Sequence, residues 1–472
     1  MKKVDIFLLA LVLFLGILLR LYKINIPLAD LHSWRQADTA AVARNFVKSG
    51  FDLLHPRYDD LSNVQSGQEN PKGYRMVEFP IYNSIFAKLY QLWPTLPIEV
   101  WGRAVSVFFS LLVISVIYYL TLKEASRTAA FFASFIYAVF PFFVFFSRTV
   151  LPESTALGFS MLSIFLLYLN PSSVILYLGS AVFFAAALLV KPTAVFFALP
   201  LAYLFFKSHK WKIVKNISFY LYFFISALPL ILWRFYIRQY PEGIPGAEWL
   251  ITSINTGGGL QKIFFRPAFF RWIFFERINN LILGGLATVF LIIGTFTKQK
   301  KKFLSTILVA SLGYVFVFQG GNVQHEYYQT LILPALAIFL GVGIDTVFQN
   351  KKIFLPFISY LGVFIILAFS WFFSFYNVRN FYNYSAELIQ TANIIKSLTP
   401  PDDLIVTDTT GDTTLLYLSG RRGAPAVYKD PLELQKLGYK FITTNNAGMV
   451  DQLTENNFEL VFQNEKLAIF KL

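Results

Sequence analysis

Long apolar runs separated by short basic stretches constrain this chain more than any other feature. Examples are Val4–Leu19, Val105–Leu120, Leu331–Ile344 and Ile353–Ser374. A bilayer core about 30 Å thick is crossed by about 20 apolar residues in a helix, because each backbone group must be satisfied within its own segment. The chain is 56% hydrophobic and only 14% charged, unlike soluble domains. We therefore expect an α-helical polytopic membrane protein with about eleven transmembrane helices.

The formal net charge of +14 comes largely from lysine clusters in short connections. When Lys2 and Lys3 are placed in the cytoplasm, alternating spans put every later lysine cluster on the same side. The positive-inside rule then explains the charge, and no nucleic-acid partner is expected. No small-residue cleavage site follows Leu19, so the first span is expected to stay uncleaved. We expect a multi-pass protein of a prokaryotic inner membrane, with a cytoplasmic N-terminus and an extracytoplasmic C-terminal domain.

Two domains are predicted. Residues 1–380 form the transmembrane domain, with long outer loops at 23–100 and 234–280, and residues 386–472 form a small extracytoplasmic α/β domain. The tail alternates strand-like and helical patterns, which is typical of that class. The predicted strands are Leu404–Thr407, Ala426–Tyr428, Lys440–Thr443 and Leu460–Gln463. The predicted helices are Thr413–Ser419, Leu432–Leu437 and Met449–Glu455.

Ionisable side chains collect near the predicted outer ends of the spans. They are Asp30, Asp38, Glu78, Glu153 and Glu326, with His32, His325, Arg35, Arg44, Arg148, Lys191 and Arg266. Carboxylates that accept a proton and cations that stabilise a departing phosphate suit a substrate that is part lipid and part phosphate-sugar. The chain has no cysteine, which excludes thiolate metal sites and disulfides.

The segment Leu31–Phe46 carries the most concentrated chemistry. Ser33 is predicted to cap a helix that places Arg35 and Asp38 within one turn of each other. The alternative is an amphipathic helix on the membrane surface with a local ion pair. Each remaining candidate also has a structural alternative. For Glu78 and Glu153 it is a favourable place at a helix N-terminus, and for Arg148 and Lys191 it is snorkelling towards the membrane surface.

The segment Gln324–Tyr328 differs from a zinc-protease helix, because Gln329 stands where the second histidine would be. No metal site is expected there. Neither a phosphate-binding glycine loop of the Walker type nor a dinucleotide fingerprint occurs in the sequence.

These segments together resemble the GT-C glycosyltransferases, in the branch of family 39-like enzymes that contains protein O-mannosyltransferases and the lipid A aminoarabinose transferase. The resemblance covers the order of the spans and the outer tail. Its specific parts are Ala43–Phe46, Glu78–Pro80, Arg148 with Pro152–Glu153, Lys191–Pro192, and His325–Tyr328 leading into Leu333–Ala335.

The resemblance implies an inverting, metal-independent transfer of a hexosyl or pentosyl group outside the cytoplasm, without a cofactor. The donor would be a polyprenyl-phosphate sugar, and the acceptor an unspecified glycan, lipid or protein. The family commonly opens its first-loop helix with an Asp-Glu pair, and this sequence has Arg35 and Gln36 there. Asp38 is therefore the first choice for the catalytic carboxylate and Asp30 the second, with Glu78 assisting.

The implied substrate-binding residues extend over five segments of the chain. They are His32, Arg35, Gln36, Arg148, Glu153, Lys191, Arg266, His325, Glu326, Tyr327 and Tyr328. Two other classes stay open. One is a membrane transporter or lipid flippase, and the other is a GT-C relative that has lost activity and serves in cell-surface assembly.

Overall fold

The chain forms two compact units, each assembled from separate stretches of sequence. The structure, a computed structural model, describes residues 1–246, 267–298, 302–351, 353 and 355–472. The first unit, here called the helical unit, contains residues 1–24, 103–233 and 267–381. The second, here called the composite unit, contains residues 25–102, 234–246 and 382–472. The predicted first outer loop thus groups with the tail, which the sequence analysis did not anticipate.

The first half of the chain is almost entirely helical. Its α-helices are α1 Lys3–Arg20, α2 Ser33–Ser49, α3 Ile81–Leu92, α4 Ile98–Glu124, α5 Arg127–Val139, α6 Pro141–Phe146, α7 Glu153–Leu169, α8 Val174–Val190, α9 Ala198–His209 and α10 Ile217–Ile237. Short 3-10 helices cover Pro192–Phe197, Lys210–Lys215 and Pro241–Gly243. The apolar run over 131–146 is divided into α5 and α6, because Pro141 cannot continue the helix that precedes it.

The second half continues in the same way up to the tail. Its α-helices are α11 Pro267–Phe270, α12 Thr288–Phe296, α13 Phe303–Val317, α14 Gln319–Gln324, α15 Leu333–Gln349, α16 Pro356–Val378, α17 Ala386–Leu398, α18 Thr414–Ser419, α19 Pro431–Lys436 and α20 Ala447–Glu455. A π-helix, Arg271–Ile282, continues α11, and 3-10 turns cover Glu326–Ile332 and Arg379–Tyr382.

The expected class, an α-helical polytopic membrane protein with a small C-terminal α/β domain, is confirmed. Among the described residues, four helical stretches are long and apolar enough to cross a membrane: Ile98–Glu124, Ile217–Ile237, Glu326–Gln349 and Pro356–Leu398. Shorter apolar helices such as α7 and α8 accompany them. On α16 the large apolar side chains of Phe357 and Phe364 are 76% and 70% exposed, which fits contact with lipid rather than water. The count of about eleven spans stays a prediction.

The tail folds around a five-stranded sheet with the order β2-β1-β3-β5-β4. The strands are β1 Leu404–Thr407, β2 Gly423–Ala424, β3 Tyr439–Thr444, β4 Glu459–Asn464 and β5 Leu467–Lys471. β1 pairs in parallel with both β2 and β3, whereas β5 pairs antiparallel with β3 and β4. The sequence analysis located β1, β3, β4 and the helices α18, α19 and α20, but it missed β5 and α17.

The strand predicted at Ala426–Tyr428 was wrong, because β2 lies at Gly423–Ala424 instead. A β-carbon on Gly423 would lie 1.7 Å from the carbonyl oxygen of Ile405, so only glycine allows this approach. The outer edge of β2 is in turn covered by the first loop. Gly423 N–H donates to the Asp59 carbonyl, and Leu61 N–H donates to the Gly423 carbonyl. This pairing protects an edge strand that would otherwise be open.

Candidate functional site

The first-loop helix α2 is buried within the composite unit. All residues from Arg35 to Ala43 are buried, so the alternative of a helix lying on the membrane surface is not supported. Ser33 is the first helical residue rather than the cap. His32 occupies the capping position with a φ of 58° and forms no side-chain capping bond. The predicted Ser33 cap was therefore wrong, and the Ser33 hydroxyl instead accepts a hydrogen bond from Thr414.

Asp30 and Glu78 each contact a side chain in the first turn of α2. The Gln36 amide donates to Asp30 Oδ1 over 2.7 Å and also to the Leu31 carbonyl. Glu78 pairs with the guanidinium of Arg35. Asp30 thus accepts a hydrogen bond from a neutral amide, and Glu78 pairs with a cation.

Asp38 lies one turn further along α2 in a closed environment. Its side chain has no exposed surface, its Oδ2 lies 3.0 Å from the Arg75 guanidinium, and its Oδ1 accepts a hydrogen bond of 2.6 Å from Thr413. Both oxygens therefore face groups of the protein itself. Such a buried pair is costly to break, and this placement favours a structural role for the residue that the sequence placed first.

A second carboxylate network continues along the same side of the composite unit. Arg44 pairs with Asp59 and stacks over the Tyr417 ring, with 4.3 Å from its Cζ to the ring centroid. Burial raises the pKa of Asp59, and the nearby Arg44 counteracts that rise. Burial also raises the pKa of Asp60 to about 7, although hydrogen bonds from Ser62 oppose it. These groups hold the first loop against the tail helix α18.

The helical unit contains a separate cluster around Lys191. Its Nζ lies 2.6 Å from Glu153 Oε1, and both side chains are almost fully buried. The same Nζ lies 5.9 Å and 5.2 Å from the ring centroids of Tyr327 and Tyr328. His325 stacks on Tyr327 at a centroid distance of 5.3 Å. Three of the predicted substrate-binding segments thus meet in the helical unit: Glu153 supplies a carboxylate, Lys191 a cation, and His325–Tyr328 aromatic rings.

Several polar atoms around this cluster are buried and have no hydrogen-bond partner among the described residues. They are Glu153 Oε2, Thr155 Oγ1, both side-chain polar atoms of Gln319, Gln329 Oε1 and Thr330 Oγ1. The elements that carry them pack together: α7, α14 and the 3-10 turn Glu326–Ile332. Buried polar groups are normally satisfied, so this concentration is typical of a site that binds a polar ligand or water.

The other predicted residues occupy different positions. Arg148 is fully buried, and its Nη1 donates to the Lys23 carbonyl, which suits anchoring of the chain after α1. Glu326 pairs with Arg277 of the π-helix. Arg266 lies outside the described residues. Among the described residues, no three His, Cys, Asp or Glu side chains come together to hold a metal ion.

Comparisons with known proteins agree with this architecture. The sequence profile of the family described as dolichyl-phosphate-mannose-protein mannosyltransferase matches residues 99–233. No curated protein sequence gave a significant match. Among solved structures, ArnT from Cupriavidus metallidurans bound to undecaprenyl phosphate is similar over 98% of this chain and 97% of its own, with a TM-score of 0.66 and 14% identity.

An archaeal enzyme shares the same architecture. The Archaeoglobus fulgidus oligosaccharyltransferase in its apo form matches over 94% of this chain and 70% of its own, with a TM-score of 0.62 and 12% identity. The oligosaccharyltransferase AglB from Archaeoglobus fulgidus, in complex with an inhibitory peptide and a dolichol-phosphate, has a TM-score of 0.60 and 11% identity, over 94% of this chain and 69% of its own. The chain has the GT-C fold. The predicted resemblance is thereby confirmed.

Sequence reasoning missed several residues of this GT-C chain that contact the predicted ones. Arg75 and Thr413 enclose Asp38, and Arg277 pairs with Glu326. Arg75 falls in the long polar loop, where nothing in the local pattern distinguished it from other solvated cations. Gln319 gave a detectable signal, because an amide at the end of an apolar helix needs a partner when it is buried.

Proposed function

We propose that this protein is an integral membrane glycosyltransferase that moves a sugar from a polyprenyl-phosphate donor to an extracytoplasmic acceptor. One observation supports it most: the fold of ArnT, in a structure bound to undecaprenyl phosphate, extends over 98% of this chain. The AglB structure in complex with dolichol-phosphate adds a second lipid phosphate. The two ionisable clusters supply the residue types that transfer from such a donor needs.

Asp30 is assigned as the base. An acceptor hydroxyl attacks the anomeric carbon, the bond from that carbon to the phosphate oxygen breaks, and the acceptor proton passes to the Asp30 carboxylate. Asp30 is chosen over Asp38 because both oxygens of Asp38 face Arg75 and Thr413 and its side chain has no exposed surface. Glu78, paired with Arg35, positions the start of α2. Attack opposite the leaving group gives inversion, as in inverting glycosidases.

Lys191 is assigned to the donor phosphate. Its ammonium group is buried and is held in place by Glu153, with 2.6 Å from Nζ to Oε1. Charge that develops on the departing phosphate is stabilised best by a cation already fixed in a buried site. The unpaired Glu153 Oε2 and Gln319 amide supply hydrogen bonds for sugar hydroxyls. No metal ion is assigned a role in this mechanism, and transfer is expected to persist in a chelator.

The test is transfer from a set of radiolabelled polyprenyl-phosphate sugars by the purified protein in liposomes, with Asp30→Asn and Asp38→Asn alongside. We expect wild type to consume one donor, and Asp30→Asn to lose about 10²–10⁴-fold in rate while its thermal unfolding is unchanged. If Asp38→Asn folds but is inactive while Asp30→Asn stays active, the catalytic base is Asp38 and not Asp30. Donor binding without turnover in wild type would favour an inactive relative, and no binding at all would favour a transporter.

A further inference from the structure

The tail sheet contains a topological switch point. From β1 the chain passes through α18 to β2 on one side, and from β2 it passes through α19 to β3 on the other side of β1. The two helices lie on opposite faces of the sheet. Leu416 of α18 packs with Ile405 and Phe441, whereas Leu434 of α19 packs with Val406 and Ile442. In open α/β sheets a crevice forms outside the carboxyl ends of the two strands at such a point, and ligands bind there.

A cavity occupies that position. Its volume is about 240 Å³, and it is lined by Asp408 and Thr409 after β1, by Thr443 and Asn445 at the end of β3, and by Glu387 and Lys466. Pockets for drug-sized ligands hold roughly 300–1,000 Å³. The crevice is therefore of a size for one small ring rather than for an extended chain.

One buried hydroxyl in this crevice lacks a partner. The Thr443 side chain is only 2% exposed, and its Oγ1 has no hydrogen-bond partner among the described residues. Its neighbours are satisfied: Thr444 donates to Asp408 Oδ2 over 2.8 Å, and Thr409 donates to the Asp412 carbonyl. An unsatisfied buried hydroxyl costs free energy unless a ligand meets it. Thr443 therefore indicates that the crevice is built for a hydrogen-bonding ligand.

The lining chemistry selects a neutral ligand rather than an anion. Lys466 pairs with Glu387 over 2.7 Å, which leaves the Asp408 carboxylate as the excess charge. A phosphate or carboxylate ligand would meet that negative charge. Carboxylate, hydroxyl and amide groups are instead suited to the hydroxyls of a sugar, and Leu388 and Leu467 provide apolar wall for the carbon face of its ring.

We propose that the crevice at the carboxyl ends of β1 and β3 binds one neutral sugar residue. Asp408 and Asn445 bond its hydroxyls, and Thr443 contributes the buried donor. This site belongs to the composite unit alone and is separate from the residues assigned to sugar transfer. It does not rest on the proposed transferase function.

The test is saturation-transfer NMR on the full-length protein in nanodiscs, with free glucose, galactose, mannose and N-acetylglucosamine as probes. Glucose 6-phosphate and glucuronate serve as anionic counterparts. We expect at least one neutral sugar to bind and both anions to bind at least tenfold more weakly. Equal or tighter binding of an anion, or no binding of any neutral sugar, would overturn the proposal.

Thr443→Val is the decisive variant, because it removes the hydroxyl and keeps the shape. We expect sugar affinity to fall about tenfold, which corresponds to about 1.4 kcal/mol, and thermal stability to stay equal or rise, because an unpaired buried hydroxyl is lost. Thr454→Val, whose hydroxyl bonds to Val450 within α20, is the matched control and should bind normally. Unchanged affinity in Thr443→Val would refute the site.

Two experiments distinguish sugar binding at this crevice from binding of the lipid-linked donor. One uses the Lys191→Gln variant, and the other compares a free sugar with a short glycan. Lys191→Gln should weaken the binding of polyprenyl-phosphate sugar and leave free-sugar binding unchanged. Free-sugar binding lost in Lys191→Gln and retained in Thr443→Val would place the ligand in the helical unit and refute the crevice. A short glycan with the same terminal sugar should bind at least as tightly as the free sugar. Weaker binding of the glycan than of the free sugar would show that the crevice does not accept the terminal sugar of a glycan.

Discussion

The Asp38 carboxylate accepts a hydrogen bond from the Thr413 hydroxyl, which lies 375 residues later in the chain. The contact joins the first-loop helix to the start of α18 within the composite unit. Arg75 completes it, with 3.0 Å to the other carboxylate oxygen. Asp38 therefore has the surroundings of a structural ion pair.

Asp38→Asn should destabilise the composite unit. The substitution leaves the Arg75 guanidinium buried without its counter-charge, at a cost of about 3 kcal/mol. Thermal unfolding in detergent, followed by tryptophan fluorescence, should show a lower midpoint. Asp402→Asn, an exposed carboxylate of the same unit, should leave the midpoint unchanged. An Asp38→Asn variant as stable as wild type would remove the structural assignment.

Gln36→Glu should shift the pH dependence of transfer. The new carboxylate would lie where the Gln36 amide now donates to Asp30 over 2.7 Å, and a like charge at that distance raises the pKa of Asp30. The base acts when deprotonated, so the acidic limb of the rate profile should move up by about one pH unit. The measurement is the initial rate of transfer from pH 4.5 to 8.5. An unmoved acidic limb would argue against Asp30 as the base.

Lys191→Gln should weaken donor use, and it should also lower the thermal midpoint, because it leaves the Glu153 carboxylate buried without its counter-charge. Loss of a fixed cation at the departing phosphate is expected to lower the transfer rate about 10²-fold or more. Lys207→Gln is a suitable control, because Lys207 is half exposed and lies 3.8 Å from Glu124. Rates measured at saturating donor, together with donor affinity, separate binding from chemistry. If both variants behave alike, Lys191 does not contact the donor.

Asp60 should make stability depend on pH. Its pKa is raised by burial from 3.8 to about 7, so between about pH 4 and 7 the folded chain holds a proton that the unfolded chain has lost. The free energy of unfolding therefore falls as pH rises through that window and levels off above about 7. Thermal midpoints should decrease accordingly in wild type.

Asp60→Asn should remove that dependence. An asparagine oxygen still accepts from Ser62, which bonds to Asp60 Oδ1 over 2.8 Å and 2.6 Å through its amide and hydroxyl. The variant should be more stable than wild type at pH 8 and similar to it at pH 4.5. The same fall in midpoint for both proteins would assign the pH dependence to another group.

The sequence predicted those parts of the structure that depend on local pattern. The helix Val174–Val190 is a long apolar run that ends at Lys191–Pro192, where proline stops it. Strand β1 likewise follows from a short apolar run. Strand β2 does not, because its position depends on the close approach of Gly423 to Ile405, a tertiary requirement that the neighbouring apolar residues concealed.

The sequence predicted which kinds of residue form the candidate site, but it did not predict the partners that each of them contacts. Acidic and basic groups near span ends were visible in the sequence, and Lys191 and Glu153 do meet. The preference for Asp38 over Asp30 depended on spacing within one helix. The groups that enclose Asp38, Arg75 and Thr413, come from segments with no periodic relation to it, so only the folded chain reveals them.

The composite unit also sets an order of events during synthesis. The Asp38 carboxylate needs Thr413 as a partner, and 375 residues separate the two positions. At about 5–20 residues per second, a ribosome takes from about 20 seconds to more than a minute to make that stretch. Through this interval the first loop carries carboxylates destined for burial that must stay hydrated. In a truncated chain that lacks the tail, these carboxylates would stay exposed to water. Its first loop would then be a target for quality-control proteases.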